Sequence, residues 1–207
     1  MHGKIVCIGQ NYWEHIKELH NEVPVEPVIF LKPASSLISD GEEIVIPAGL
    51  GRVDHEVELA LVIGTAGKNL SGLDALKHVS HLAVFNDVTA RDMQNAARKA
   101  GMPWALAKGL DTFAPMSAPI SFERGMELDN LDLLLTVNGE VRQKGTTADM
   151  IHNSAVLIAY VSKWMRLEPG DIIATGTPKG VSPLHPGDVV EASIPGVGRV
   201  RNRVHGL

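Results

Sequence analysis

Three acidic residues carry the first chemistry legible in this chain. In the stretch DHEVELALVIG, Glu56 and Glu58 stand two apart, the spacing that puts side chains on one face of a β-strand. Counting by two places Asp54, Glu56, Glu58, Ala60 and Val62 on that face, with His55, Val57, Leu59, Leu61 and Ile63 on the other. Beyond Glu58 both faces are apolar, the mark of a strand covered on both sides. Two carboxylates at the mouth of such a strand cannot both stay ionised out of water without positive charge between them, and a divalent cation supplies it. A strand that starts at the surface, with both acids solvated, accounts for the segment equally well.

A second stretch, HLAVFNDVTARDMQ, ends an apolar strand at Asp87 and then enters a helix. Thr89, with Asp92 three residues on, has the spacing of a capping box at that helix start. Glu56, Glu58 and Asp87 offer oxygen alone, with no cysteine or histidine pair nearby, a hard donor set that suits magnesium, manganese or calcium rather than zinc. Arg91 and Gln94 share a face just inside the helix N-terminus, where the dipole favours an anion. A solvated helix surface is the plainer account of that pair. Lys108, in LAKGLD, follows an apolar run and needs either a route to solvent or a negative partner. The glycine-rich ATGTPKGV lacks the spacing of a phosphate-binding P-loop, and GVGRVR lacks the third glycine of a dinucleotide fingerprint.

Short strands must position these residues. Alternation and apolar runs predict strands at 4–8, 28–32, 43–46, 57–63, 82–88, 133–137, 171–174, 189–194 and 198–204. Helices are predicted at 12–19, 73–79, 90–100 and 154–165, the last apolar nearly all round and therefore expected to be well packed. Strands and helices do not alternate regularly, which argues against a doubly wound parallel sheet and for a β-rich α+β fold. The chain has 207 residues, 44% of them apolar, and shows no repeat or linker, so a single domain over 1–207 is expected. Its net charge of -5, without a block of like charges, leaves no footprint for nucleic acid or an acidic membrane. Arg199, Arg201 and Arg203 alternate with Val200 and Val204 and read as the wet face of a strand. The single Cys7 excludes an intramolecular disulfide and sits in an apolar run, as a buried thiol would. No apolar run approaches the ~20 residues of a membrane span. A soluble, cytoplasmic protein is expected.

The blocks GQNYWEHIKE, FLKP, DHEVELA, NDVTARDMQ, PWALAKGLDTFAP, TVNGEVRQ and PGDIIATGTPKGV follow one another over nearly the whole chain. In that order the sequence resembles the fumarylacetoacetate hydrolase family, in its compact single-domain branch of acylpyruvases and oxaloacetate decarboxylases or tautomerases. The resemblance implies a mixed β-roll of the family's C-terminal-domain type with a few short helices, Mg2+ (or Mn2+) as cofactor, a small-molecule 2-keto acid as substrate, and a homodimer. It makes Glu56, Glu58 and Asp87 the metal ligands. It also makes His15 a catalytic base oriented by Glu18, although EHIKELH by itself reads as the polar side of a surface helix. Lys108 becomes catalytic through charge stabilisation, and Arg91, Gln94 and Thr177 become substrate contacts. Tyr12 and Lys32 fall in family blocks without an assigned role. Gln10 stands where the family often has an arginine, which removes a contact for a distal carboxylate. The implied activity is metal-dependent hydrolysis of a C–C bond in acylpyruvate-type 2,4-diketo acids, such as fumarylpyruvate or acetylpyruvate, releasing pyruvate as its enolate. The alternatives are decarboxylation or keto–enol tautomerisation of oxaloacetate at the same site, and a metal-binding module without catalysis.

Overall fold

A computed structural model describes residues 3–18, 22–123 and 125–207. Two mixed sheets form the body. One runs Ile120–Ser121, Val79–Asn86, Val57–Ile63, Ile172–Ala174, Ile5–Gly9, Val28–Lys32, with one parallel pairing, between Ile5–Gly9 and Ile172–Ala174. The other runs Glu140–Thr146, Asp132–Val137, Val189–Ile194, Gly198–Gly206, Glu43–Ile46, and is likewise antiparallel except at its last pairing. This is the β-rich α+β architecture expected, with a few short helices around the sheets.

The Val57–Ile63 strand divides two apolar clusters. Val57, Leu59, Leu61 and Ile63 face the main core, together with Leu82, Val84, Leu133, Leu157 and Ile173. Ala60, on the opposite face, belongs to a smaller cluster with Ile5, Cys7, Ala83, Phe85 and Ala174. A strand covered on both sides is what its unbroken apolar run requires. Truncating a core residue such as Leu59 to alanine would cost about 2–5 kcal/mol. The face that carries Ala60 is the one on which Glu56 and Glu58 continue toward the sheet's end.

Elsewhere the local expectations hold with corrections. The Arg199, Arg201 and Arg203 side chains are exposed, Val200 and Val204 are buried, and Cys7 is buried. The predicted helix at 73–79 is a helical turn at Gly72–Ala75 followed by a 3-10 turn at Leu76–His78, because Val79 already pairs with Ile63 in the sheet. Helix Ser154–Trp164 is capped by the Asn153 Oδ1, which accepts from the Val156 N–H at 3.1 Å, but it is not covered all round. Val156 and Trp164 are 44% and 66% exposed. The Glu140–Thr146 strand, too polar for its period to show, is set by an Asn138-Gly139 turn with φ of 54° and 82°, the geometry of a tight hairpin. The first helix is Trp13–Glu18, and Leu19, the expected end of its apolar stripe, lies outside the described residues. Among the described residues no helix is long and apolar enough to cross a membrane.

Candidate active site

The sheet itself assembles the carboxylates. Val57 pairs with Asn86, so Glu56 and Asp87 sit side by side just beyond the strand ends. Asp87 N–H donates to the Glu56 carbonyl at 2.8 Å, and Asn86 Oδ1 accepts from Glu56 N–H at 2.9 Å, which locks the two ends together. Glu56, Glu58 and Asp87 are 5%, 1% and 1% exposed, and one oxygen from each lies within 4.8 Å of the others. That burial removes the solvated reading. Glu58 Oε2 accepts from the Gly176 N–H at 2.9 Å. Gly176 has φ +98°, and a Cβ there would lie 2.9 Å from the Asn11 Cβ, so glycine is needed for this backbone to come close.

Three buried cations surround the acids. Lys108 Nζ donates to Glu56 Oε2 at 2.8 Å, Asp87 Oδ2 at 2.5 Å and Thr89 Oγ1 at 2.6 Å. It is 2% exposed and ends the short helix Ala105–Lys108, so its apolar run leads to negative partners and not to solvent. Arg91 Nη2 donates to Glu56 Oε1, its Nη1 to Gln94 Oε1, and its Nε to Asp54 Oδ2 at 2.7 Å. Lys32 Nζ lies 2.8 Å from Asp87 Oδ1, yet its three protons point to the carbonyls of Val88, Lys108 and Phe113. Asp87 Oδ1 thus has a charge beside it and no hydrogen bond. The capping box does not form: the helix starts at Arg91, and the Thr89 hydroxyl donates to the Asp87 carbonyl. Asp92 instead accepts from the backbone N–H of Arg52 at 2.9 Å.

Charge is divided unevenly over the three acids. Burial pushes the Glu56 carboxyl up, but Lys108 and Arg91 outweigh it and hold it well below the ordinary range. Burial raises Glu58, and the neighbouring Asp87 and Glu56 raise it further, more than the Gly176 N–H and Lys108 offset. An oxygen-only, buried donor set with a free lone pair on Asp87 Oδ1 and an under-paired Glu58 fits a hard divalent cation. Burial and the neighbouring acids favour the protonated form of Glu58 in the cation-free protein, so a cation bound there competes with that proton. Mn2+ affinity is expected to rise with pH, about tenfold per unit where one proton is released. Calorimetric titration in two buffers of different ionisation enthalpy reads that proton directly, and equal heats in both would refute it.

The other expected residues, Glu18 excepted, line the same cavity, of about 150 Å3, together with Ile8, Phe30 and Trp104. His15 is 5% exposed, and its Nδ1 lies 3.3 Å from Glu18 Oε2. The Gly180 N–H donates to both Glu18 oxygens, at 3.1 and 3.2 Å. Burial lifts the Glu18 carboxyl, but the bonds from His15 and Gly180 prevail and keep it below its ordinary value. Gln94 and Thr177 also line the cavity, as do Arg91 and Lys108. Gln10 is there too, with φ +58°.

Several residues to which the sequence assigned no role complete the arrangement. Gln143 is fully buried: its Oε1 accepts from His55 Nδ1 at 2.9 Å and Val57 N–H at 3.1 Å, and its Nε2 donates to Thr177 Oγ1 and the Pro178 carbonyl. With Gln143 as acceptor, His55 carries its proton on Nδ1 and leaves Nε2 for the Ser182 hydroxyl, 2.8 Å away. Because Thr177 Oγ1 accepts from Gln143, its own proton is left for an oxygen in the cavity. Lys32, unassigned from sequence, ties the backbone of Val88 to that of Lys108. Asp54, visible only as a third acid on the glutamate face, orients Arg91.

Comparison with known proteins agrees with this geometry. Residues 4–205 match the family model described as fumarylacetoacetate (FAA) hydrolase C-terminal. The chain is 48% identical over 198 residues to the mitochondrial oxaloacetate tautomerase of Arabidopsis thaliana, covering 96% of this chain and 89% of that protein. It is 45% identical to the oxaloacetate tautomerase of Escherichia coli, covering 94% and 89%. The crystal structure of fumarylpyruvate hydrolase from Pseudomonas aeruginosa, in complex with Mn2+ and pyruvate, superposes with a TM-score of 0.95 at 31% identity, over 100% of this chain and 91% of that one. Matched to the family model from residue 4 to residue 205 and sharing the fold, this chain belongs to the fumarylacetoacetate hydrolase family.

Proposed function

We propose that this chain is a divalent-cation-dependent enzyme of 2-keto acids, and that its reaction is the keto–enol tautomerisation of oxaloacetate. The observation that carries this reading is the buried Glu56, Glu58 and Asp87 cluster opening into one cavity with His15 and Lys108. Hydrolysis of acylpyruvates, placed first on the sequence, becomes the second reading. Relatives at 48% and 45% identity are named oxaloacetate tautomerases, whereas the named fumarylpyruvate hydrolase is 31% identical. Tautomerisation also asks the least of the site, since only a proton moves.

Glu56, Glu58 and Asp87 would hold Mg2+ or Mn2+. The cation, when bound, supplies Lewis acidity toward the keto acid's oxygens and so acidifies its C3 protons. His15, oriented by Glu18, takes a C3 proton. Lys108 stays charged because Asp87 and Glu56 outweigh the cost of its burial, and it stabilises negative charge developing on the C2 oxygen. The Thr177 hydroxyl donates to a substrate oxygen, and His15 returns the proton to oxygen to complete the enol. Arg91 and Gln94 hold the substrate's carboxylate end. With another leaving group the same residues serve decarboxylation, and with a water placed by His15 they serve C–C hydrolysis. A cytoplasmic setting belongs to this reading, as does a homodimer, which the apolar surface groove along Val28–Leu31 and Met102–Ala105 supports.

The test is a panel of purified protein with Mg2+ or Mn2+ against enol and keto oxaloacetate, acetylpyruvate and fumarylpyruvate. Interconversion of the oxaloacetate tautomers, followed by enol absorbance, is expected to dominate. His15→Ala should lose it while binding Mn2+ as before. Turnover confined to acylpyruvates would restore hydrolysis to first place, and no turnover with either cation would leave a binding module.

A further inference from the structure

Asp54 is fully buried, and each of its oxygens takes a different guanidinium: Arg52 Nε donates to Oδ1 and Arg91 Nε to Oδ2, both at 2.7 Å. The surrounding backbone is stitched as tightly. Asp54 pairs with Thr89, Arg91 N–H donates to the Arg52 carbonyl at 2.8 Å, and Arg52 N–H donates to Asp92 Oδ2. Both arginines line the cavity that holds the carboxylate cluster. Arg91 is 6% exposed and reaches inward to Glu56; Arg52, also at the cavity, has a side chain 46% exposed and uses its Nε on Asp54. An ion pair for stability alone would need one arginine. Two guanidinium planes fixed by one buried acid, one at the cluster and one at the rim, form a track for an anion extended between them.

We propose that Arg52, positioned by Asp54, forms the anion subsite that takes the second, distal carboxylate of a 2-keto dicarboxylate such as oxaloacetate. This rests on the 2-keto acid reading above. It also answers the departure at Gln10: the charge missing there is supplied by the residue just before the short strand Val53–Asp54. Arg52 gives the carboxylate a planar fork of donors, and Asp54 acts as a positioning residue that holds this fork and that of Arg91 in one frame.

The experiment titrates Mn2+-loaded protein by calorimetry with two stable acids that share the keto-acid end, 2-oxoglutarate and 2-oxobutyrate, so that the readout is binding and not turnover. Wild type is expected to favour 2-oxoglutarate. Arg52→Gln, a change on a half-exposed side chain, should weaken 2-oxoglutarate about tenfold or more, with the loss confined to that acid. Asp54→Asn, which loosens Arg91 as well as Arg52, should weaken both acids, 2-oxoglutarate the more; because it alters a buried group, its melting temperature is compared with wild type. Equal weakening of both acids by Arg52→Gln, or no change in either, overturns the subsite and leaves the keto-acid reading standing. Wild-type protein that binds neither acid overturns both.

Discussion

Asp87→Asn is expected to abolish Mn2+ binding and to lower oxaloacetate turnover about a thousandfold or more, since Lewis-acid stabilisation is worth several kcal/mol. The substitution keeps the shape of the side chain and removes one charge. It also leaves the local backbone in place: the Asp87 N–H still reaches the Glu56 carbonyl, and Lys32 still donates to the carbonyls of Val88, Lys108 and Phe113. Lys108 keeps Glu56 and Thr89. The variant should therefore fold. Free Mn2+ measured by its paramagnetic resonance signal, alongside a thermal melt, separates lost binding from lost structure. Tight Mn2+ binding by a folded variant would remove Asp87 from the ligand set.

Lys108→Met should have the opposite effect on the cation with a similar effect on the reaction. In the cation-free protein, Lys108 occupies Glu56 Oε2 and Asp87 Oδ2, the oxygens a cation needs. Removing this competitor leaves buried charge unpaired, a change that typically costs about 3–5 kcal/mol when one partner of a buried pair is deleted. Mn2+ offsets that loss by filling the same place. The expected result is a lower melting temperature without Mn2+, a larger gain on adding it than in wild type, and affinity as tight as wild type or tighter. Turnover should nevertheless fall about 10²–10³-fold, the usual effect of removing one preorganised group that stabilises developing charge. Wild-type turnover in this variant would assign Lys108 to structure alone.

Residues whose meaning lies in local spacing were legible in the sequence. The shared face of Glu56 and Glu58 follows from period-two geometry, Asp87 from the end of an apolar run, and the need of Lys108 for a negative partner from the run before it. The nearness of His15 to Glu18 follows from helical spacing. What sequence could not show was set by sheet register and chain crossing. Gln143 reaches His55 and Thr177 from a polar strand 88 and 34 residues away, and no period or charge pattern in its own segment points to those partners. Lys32 reads as the end of a strand until its three carbonyl partners, up to 81 residues away, are seen. The capping box at Thr89 failed for the same reason: Lys108 and the Asp87 carbonyl claim that hydroxyl, and Asp92 is drawn to the turn before Asp54.

The contacts that complete the site span most of the chain: Glu58 meets Gly176 across 118 residues, and Glu18 meets Gly180 across 162. Contacts of such high order slow folding, because the entropy of closing the intervening loops is lost before the bonds that offset it are made. Competence for a cation is thus a property of the finished topology, acquired only when the last third of the polypeptide has joined the first, and a nascent chain emerging N-terminus first displays Glu56, Glu58 and Asp87 long before it can close a pocket around them.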